Sequence, residues 1–174
     1  MKKKLVSLQR ENPDFPARWT KPENLHITLS FLGYLQDEEV LDICNKIKEV
    51  ALKTSPFAVN LKEICYAPPG KKIPRMIWAK GEKGGGFSEL KHNLERALEP
   101  EEDLREKGGE VSPHITLARI RKWDWQSIDP EDRPSIERDI NLSFQADSLE
   151  LMESKLKRGG PDYIVLQSYS FGNE

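Results

Sequence analysis

The sequence predicts a mixed helix-and-strand fold assembled from two similar half-units, each supplying one histidine-bearing strand. Three observations predict it. The tetrapeptide His-Ile-Thr-Leu occurs twice, at residues 26–29 and 114–117, about half the 174-residue chain apart. Period-two hydrophobic runs, which mark strands, are interspersed with period-3.6 runs, which mark helices. Each tetrapeptide follows a proline-containing connector and falls in a period-two run.

The elements follow in order. Residues 2–10 read as a short helix that ends before Asn12-Pro13, because the residue before a proline is pushed out of helical space. Three prolines make residues 11–24 an extended connector. Residues 25–32 alternate as a strand that Gly33 closes. Asp37 opens an amphipathic helix to about Leu52, with Val40, Leu41, Ile43, Cys44, Ile47, Val50 and Ala51 on one face. Residues 57–66 and 75–81 are strands joined by a Pro-Pro-Gly loop. Gly84-Gly85-Gly86 breaks off the second, and Phe87, Leu90, Leu94, Ala97 and Leu98 mark a helix. An acidic loop leads into a strand over 112–120. Residues 122–139 read as an irregular connection with one helical turn, and 144–154 and 161–171 as a closing hairpin around Gly-Gly-Pro.

Composition sets outer limits. The chain carries 27 basic and 29 acidic residues, a formal charge of −2, which excludes a globally basic nucleic-acid binder but leaves room for a local basic patch. No apolar run reaches the length of a membrane span, and the basic start has too short an apolar part for a signal peptide. Cys44 and Cys65 form no framework; they read as small buried hydrophobes and fit a cytoplasmic protein. A single domain with one continuous core is expected from 174 residues.

The chain has three histidines, and two of them open the repeated tetrapeptide. Chance would produce that match about once in a thousand on ordinary composition. Side chains i and i+2 of a strand share a face, so His26 shares one with Thr28, and His114 with Thr116. Ile27, Leu29, Ile115 and Leu117 then turn to the core. Two imidazoles titrating near neutrality can serve as general base and general acid, and two hydroxyls can hold phosphate oxygens. Taken singly, either histidine reads as structural or solvated; the repetition favours chemistry. A metal site is disfavoured, because no Asp, Glu or Cys stands in phase on either strand. His92 reads as an exposed helix residue. There is no G-x-S-x-G turn, and neither cysteine adjoins a histidine in sequence.

The stretch Ala17-Arg18-Trp19, then Pro22-Glu23-Asn24-Leu25-His26-Ile27-Thr28-Leu29 and Phe31-Leu32-Gly33, resembles the first motif of the two-histidine (2H) phosphoesterase superfamily. Its likeness is greatest to the RNA 2′,3′-cyclic phosphodiesterase branch, historically called 2′-5′ RNA ligase. Pro113-His114-Ile115-Thr116-Leu117-Ala118-Arg119 resembles the second motif. Pro74-Arg75 with Ile77-Trp78-Ala79, and Leu151-Met152-Glu153-Ser154 with Leu156, Gly160-Pro161 and Tyr163, also fit that branch.

The resemblance implies a bilobal α+β fold with two pseudo-symmetric antiparallel sheet/helix halves around a central cleft. It implies hydrolysis of 2′,3′-cyclic phosphates, at RNA ends or on nucleotides, to 2′-phosphomonoesters. No cofactor, metal, membrane or obligate protein partner is implied. His114 is assigned as the base on water and His26 as the acid on the leaving oxygen; the symmetry of the pair leaves the exchange of roles open. Thr28 and Thr116 would hold the phosphate. Phe31 resembles a base-stacking position and Arg119 a phosphate-side cation. Both lie five residues past a histidine, where simple alternation puts them on the opposite face unless the strand twists, bulges or ends. The alternatives are plain core packing for Phe31 and a solvated surface role for Arg119. Family members open with an apolar strand and a longer helix; here 17 residues precede Arg18, and that first strand is expected to be absent. Two other functions stay open: an RNA-end binding module with little turnover, and RNA ligation by the same residues run in reverse.

Overall fold

The computed structural model describes residues 2–12, 15–98, 111–157 and 160–172. The chain folds into two units, each assembled from three separate segments. The first comprises residues 1–28, 60–82 and 113–144, and the second 29–59, 83–112 and 145–174. The strand pairs Ala17–Trp19 with His114–Ile120, Met76–Gly81 with His114–Ile120, Phe57–Ala67 with Met76–Gly81, and Ser148–Lys157 with Gly160–Ser170 are antiparallel, and together with the helices they make an α+β fold.

A five-stranded sheet has the order β1-β4-β3-β2-β5, with β1 at Ala17–Trp19, β2 at Phe57–Ala67, β3 at Met76–Gly81, β4 at His114–Ile120 and β5 at Arg138–Ala146. Ile77 and Ala79 of β3 and Ile115 and Leu117 of β4 are buried on one face, the period-two pattern that the sequence carries. In the first unit an aromatic cluster adds to this core. Tyr66 and Trp125 meet edge-to-face with ring centres 5.3 Å apart, and Phe15 lies 6.1 Å from Trp125. Such contacts add about 0.5–1.5 kcal/mol each beyond simple burial. Helix α1, Lys2–Glu11, contributes buried Leu5, and its Glu11 pairs with Arg138 of β5 at 2.8 Å.

The second unit carries α2 (Asp37–Leu52), α3 (Gly85–Leu98) and the hairpin of β6 (Ser148–Lys157) with β7 (Gly160–Ser170). Gln36 caps α2 by a capping box with Glu39, and Asp37, Glu38 and Glu39 place negative charge where the helix dipole favours it. Ile47, Val50 and Ala51 of α2 pack with Leu90 and Leu94 of α3 and with Leu149, Leu151 and Phe171. The hairpin registers from Ser148↔Ser170 to Lys157↔Gly160; the turn itself lies outside the described residues, as does the acidic loop.

Several expectations need correction. Residues 25–32 do not form a strand: only Ile27 is bridged, and Leu29 and Leu32 instead pack against the core of the second unit. Lys91 donates to the Leu29 carbonyl at 2.9 Å, so a side chain rather than a neighbouring strand satisfies it. The two histidines and two threonines do not divide between the units; all four fall in the first, while Leu29 begins the second. Strand β5 replaces the end of the supposed irregular connection, while α4 (Lys122–Gln126) supplies its one helical turn. Leu41 is 73% exposed rather than on the buried face of α2. Cys44 and Cys65 are half-buried free thiols, and His92 is half-buried with its Nε2 shielded and unbonded, not exposed.

Candidate active site

Strand β4 carries the second tetrapeptide, and its register with its neighbours decides what stands beside what. An isolated antiparallel bridge joins Ile27 to Ile115. Residues flanking such a bridge face one another in reverse order. His26 therefore stands opposite Thr116, and Thr28 opposite His114. Ile115, between the two, is turned into the core, which puts all four half-buried polar side chains on the other face.

On its other side β4 pairs with β3, Thr116 with Trp78 and His114 with Lys80. Strand β2 follows, Cys65 opposite Trp78 and Glu63 opposite Lys80. Two rows thus cross the face: His26, Thr116, Trp78 and Cys65, then Thr28, His114, Lys80 and Glu63. Trp78 reaches diagonally to His114, and their rings stack with centres 3.9 Å apart and planes at 22°.

The surroundings fix the polar groups. His26 Nδ1 lies 2.7 Å from the carbonyl oxygen of Asn24. A carbonyl only accepts, so Nδ1 carries a proton in this contact. Asn24 ends a 3₁₀ turn, Pro22–Asn24, that begins with a proline and closes by Asn24 N–H donating to Lys21 O at 2.9 Å. Lys80 Nζ sits 2.7 Å from Glu63 Oε1, and that bond raises the ammonium above its ordinary range. Burial, with the Glu63 carboxylate adding to it, pushes the Cys65 thiol up, so this cysteine stays protonated and unreactive. A cavity of about 440 Å³ opens beside Glu63, Cys65 and Lys80 and is also lined by Tyr66 and Trp125; neither histidine of the tetrapeptides lines it.

Arg119 does reach the imidazole face, and the reason is a bulge. Ile77 pairs with Ala118 but Trp78 with Thr116, so one step on β3 spans two on β4 and Leu117 is the extra residue. The alternation resets: Leu117 and Ala118 are both buried, and Arg119 pairs with Met76, which shares a face with Trp78 and Lys80. The Arg119 guanidinium lies 3.7 Å from the Met76 sulfur. Phe31 belongs to the second unit and is 89% exposed, which excludes a core role. Reading the tetrapeptides alone misses Lys80, Glu63 and Trp78, although the alternation of Met76, Trp78 and Lys80 with Ile77 and Ala79 is the signal that finds them.

Among the described residues no group of three or more His, Cys, Asp or Glu is placed to hold a metal ion. Among them too, no helix is long and apolar enough to cross a membrane.

Known proteins agree with this architecture. The family described as LigT like Phosphoesterase matches residues 2–78. The RNA 2′,3′-cyclic phosphodiesterase of Thermus thermophilus is 34% identical over 158 residues, 88% of this chain and 75% of that protein. That of Aquifex aeolicus is 24% identical, over 90% of this chain and 82% of its own length. Among solved structures, TT0787 of Thermus thermophilus superposes with a TM-score of 0.80 at 31% identity, covering 99% of this chain and 92% of that one. Apo LigT of Escherichia coli shares the fold, with a TM-score of 0.72 at 19% identity over 99% of this chain and 91% of that one. With the paired tetrapeptides on one sheet face, a matching solved fold and a relative at this level of identity, the chain belongs to the LigT-like phosphoesterase family.

Proposed function

We propose that this protein hydrolyses 2′,3′-cyclic phosphates, at RNA ends or on nucleotides, to 2′-phosphomonoesters, without a metal and through His26 and His114. The Ile27–Ile115 bridge carries the proposal, because it sets two imidazoles and two hydroxyls on one face. The names of the relatives, RNA 2′,3′-cyclic phosphodiesterases, favour that substrate over other phosphodiesters.

In this reading a water attacks phosphorus in line with the 3′ oxygen. One imidazole, assigned as His114, takes a proton from the water as the new P–O bond forms. The P–O3′ bond breaks, and the departing oxygen takes a proton from the other imidazole, assigned as His26. The products are a 2′-phosphate and a 3′-hydroxyl, with the two histidines left in exchanged protonation states. The Nδ1–H bond to Asn24 suits His26 to this work, since it holds the ring while Nε2 gains and loses the proton. Thr28 and Thr116 donate to non-bridging oxygens. Phe31, exposed as it is, is available to stack on a base.

The test is a product assay on 2′,3′-cyclic nucleotide in excess EDTA. The 2′-phosphomonoester should form at the chelator-free rate, with a bell-shaped pH profile because one imidazole must be protonated and one neutral. His26→Ala and His114→Ala should each remove most turnover in folded protein. Loss of activity with chelator, or near-normal rates in either variant, overturns the mechanism. Tight binding of cyclic-phosphate RNA without product would make the protein an RNA-end binding module instead.

A further inference from the structure

We propose that the cavity at the end of β2 is a nucleobase site, which takes the base of the nucleotide next to the cyclic-phosphate end and favours guanine through the Glu137 carboxylate. The inference deepens the function proposed above and rests on it for the position of the cyclic phosphate.

The cavity, about 440 Å³, is lined by first-unit residues alone. It continues the imidazole face. Cys65 ends the row of His26, Thr116 and Trp78, and Glu63 ends the row of Thr28, His114 and Lys80. Glu63, Cys65 and Lys80 all line the cavity. Neighbouring strands lie roughly 4.8 Å apart, so it opens about 10 Å across the sheet from Thr116 and His114. A phosphate held between Thr28 and Thr116 is separated from its own base by the ribose alone, which falls short of that distance. The next base, one phosphodiester further along, spans it. Tyr66 and Trp125 with Pro68, Pro69 and Pro74 give the cavity apolar walls suited to a flat ring.

Charge selects the base. Of the two carboxylates in the cavity, Glu63 is engaged by Lys80 at 2.7 Å. Glu137 is exposed, and among the described residues no cation pairs with it. After burial, its charge is among the causes that push up both the Cys65 thiol and the Tyr66 phenol, which places the carboxylate near the two walls. A carboxylate only accepts. Guanine offers it two adjacent donors, N1–H and the 2-amino group, which match its two oxygens. Adenine and cytosine set their amino group beside an acceptor nitrogen, and uracil sets its N–H between two carbonyls, so each also turns an acceptor towards the carboxylate. Lys71 and Lys72, exposed in the loop from β2 to β3, also line the cavity and have no carboxylate partner among the described residues. They attract the sugar–phosphate chain that carries the base.

The experiment compares kcat/KM for four dinucleotides that end in uridine 2′,3′-cyclic phosphate and carry guanosine, adenosine, cytidine or uridine before it. Wild-type protein should favour the guanosine dinucleotide about tenfold, chiefly through KM. Glu137→Gln should bring the four within about twofold of one another, and Glu137→Asp should keep part of the preference. Lys71→Gln with Lys72→Gln should instead weaken all four alike and reduce the salt slope by about one for each lysine, with the order of bases unchanged. Calorimetric titration of the four dinucleotides into His114→Ala protein gives a readout free of chemistry, and there the guanosine dinucleotide should bind about tenfold more tightly than the others. Equal kcat/KM for the four on wild-type protein, equal Kd in the titration, or a guanosine preference that survives Glu137→Gln overturns the base site. Failure of wild-type protein to hydrolyse any of the four overturns the function proposed above, while the titration still decides the base site.

Discussion

The indole of Trp78 lies almost flat on the imidazole of His114, ring centres 3.9 Å apart. The two are not direct partners in the ladder, since Trp78 pairs with Thr116, so the stack is a diagonal contact across β3 and β4. It restrains a ring whose orientation decides where its nitrogens point. Trp78→Ala should remove about 0.5–1.5 kcal/mol of ring contact and lower kcat at least tenfold with a smaller change in KM. Trp78→Phe should recover part of the rate. The His114 ring-proton NMR shift, displaced by the indole in wild type, should return towards its ordinary position in the alanine variant.

Thr28 and Thr116 stand cross-strand from the two histidines, and valine matches threonine in shape without the hydroxyl. Thr28→Val and Thr116→Val should each lower kcat about a hundredfold, the range for losing one preorganised donor to a reacting oxyanion. Steady-state kinetics beside a thermal melt checks this, with the melting temperature expected to move little.

Gly81 closes β3 against the residue that precedes His114. A side-chain carbon there would come 2.7 Å from the Asn60 carbonyl oxygen and 2.8 Å from Cγ of Pro113. Gly81 N–H also donates to the Pro113 carbonyl at 2.8 Å. Gly81→Ala should cost about 1–3 kcal/mol in urea unfolding and should also reduce turnover where the protein is still folded, because Pro113 must shift.

Burial holds the Tyr66 phenol up to about 12, and its hydroxyl donates to the Pro134 carbonyl. An acid whose folded value is raised keeps its proton where the unfolded chain has lost it, so the native state binds more protons above the ordinary tyrosine value. Stability from this group is complete below about pH 10 and declines from there towards pH 12. Tyr66→Phe should cost about 1 kcal/mol at pH 8 through the lost hydrogen bond and should flatten the alkaline decline. Denaturant midpoints from pH 8 to 11 provide the measurement.

The candidate site was legible where chemistry repeats. His26, Thr28, His114 and Thr116 announce themselves by pattern, and α2 and α3 by periodicity. Residues 25–32 misled because alternation reports which face a side chain takes, not whether a partner strand is at hand; past Thr28 the chain leaves the sheet, and Leu29 and Leu32 pack elsewhere. Strand β5 was hidden by its charged start, Arg138-Asp139, although Ile140, Leu142 and Phe144 alternate behind it. The face of Arg119 was not legible, because a bulge is set by the pairing of two strands and leaves no mark on one.

Leu117 gives β4 two phases. Before it, the even positions face the imidazole side; after it, the odd ones do. His114 and Thr116 on one side and Arg119 on the other thus flank a frame shift within seven residues of strand. Removing Leu117 would make the ladder regular, Trp78 with Thr116, Ile77 with Ala118 and Met76 with Arg119, and would keep the arginine and the histidine on one face.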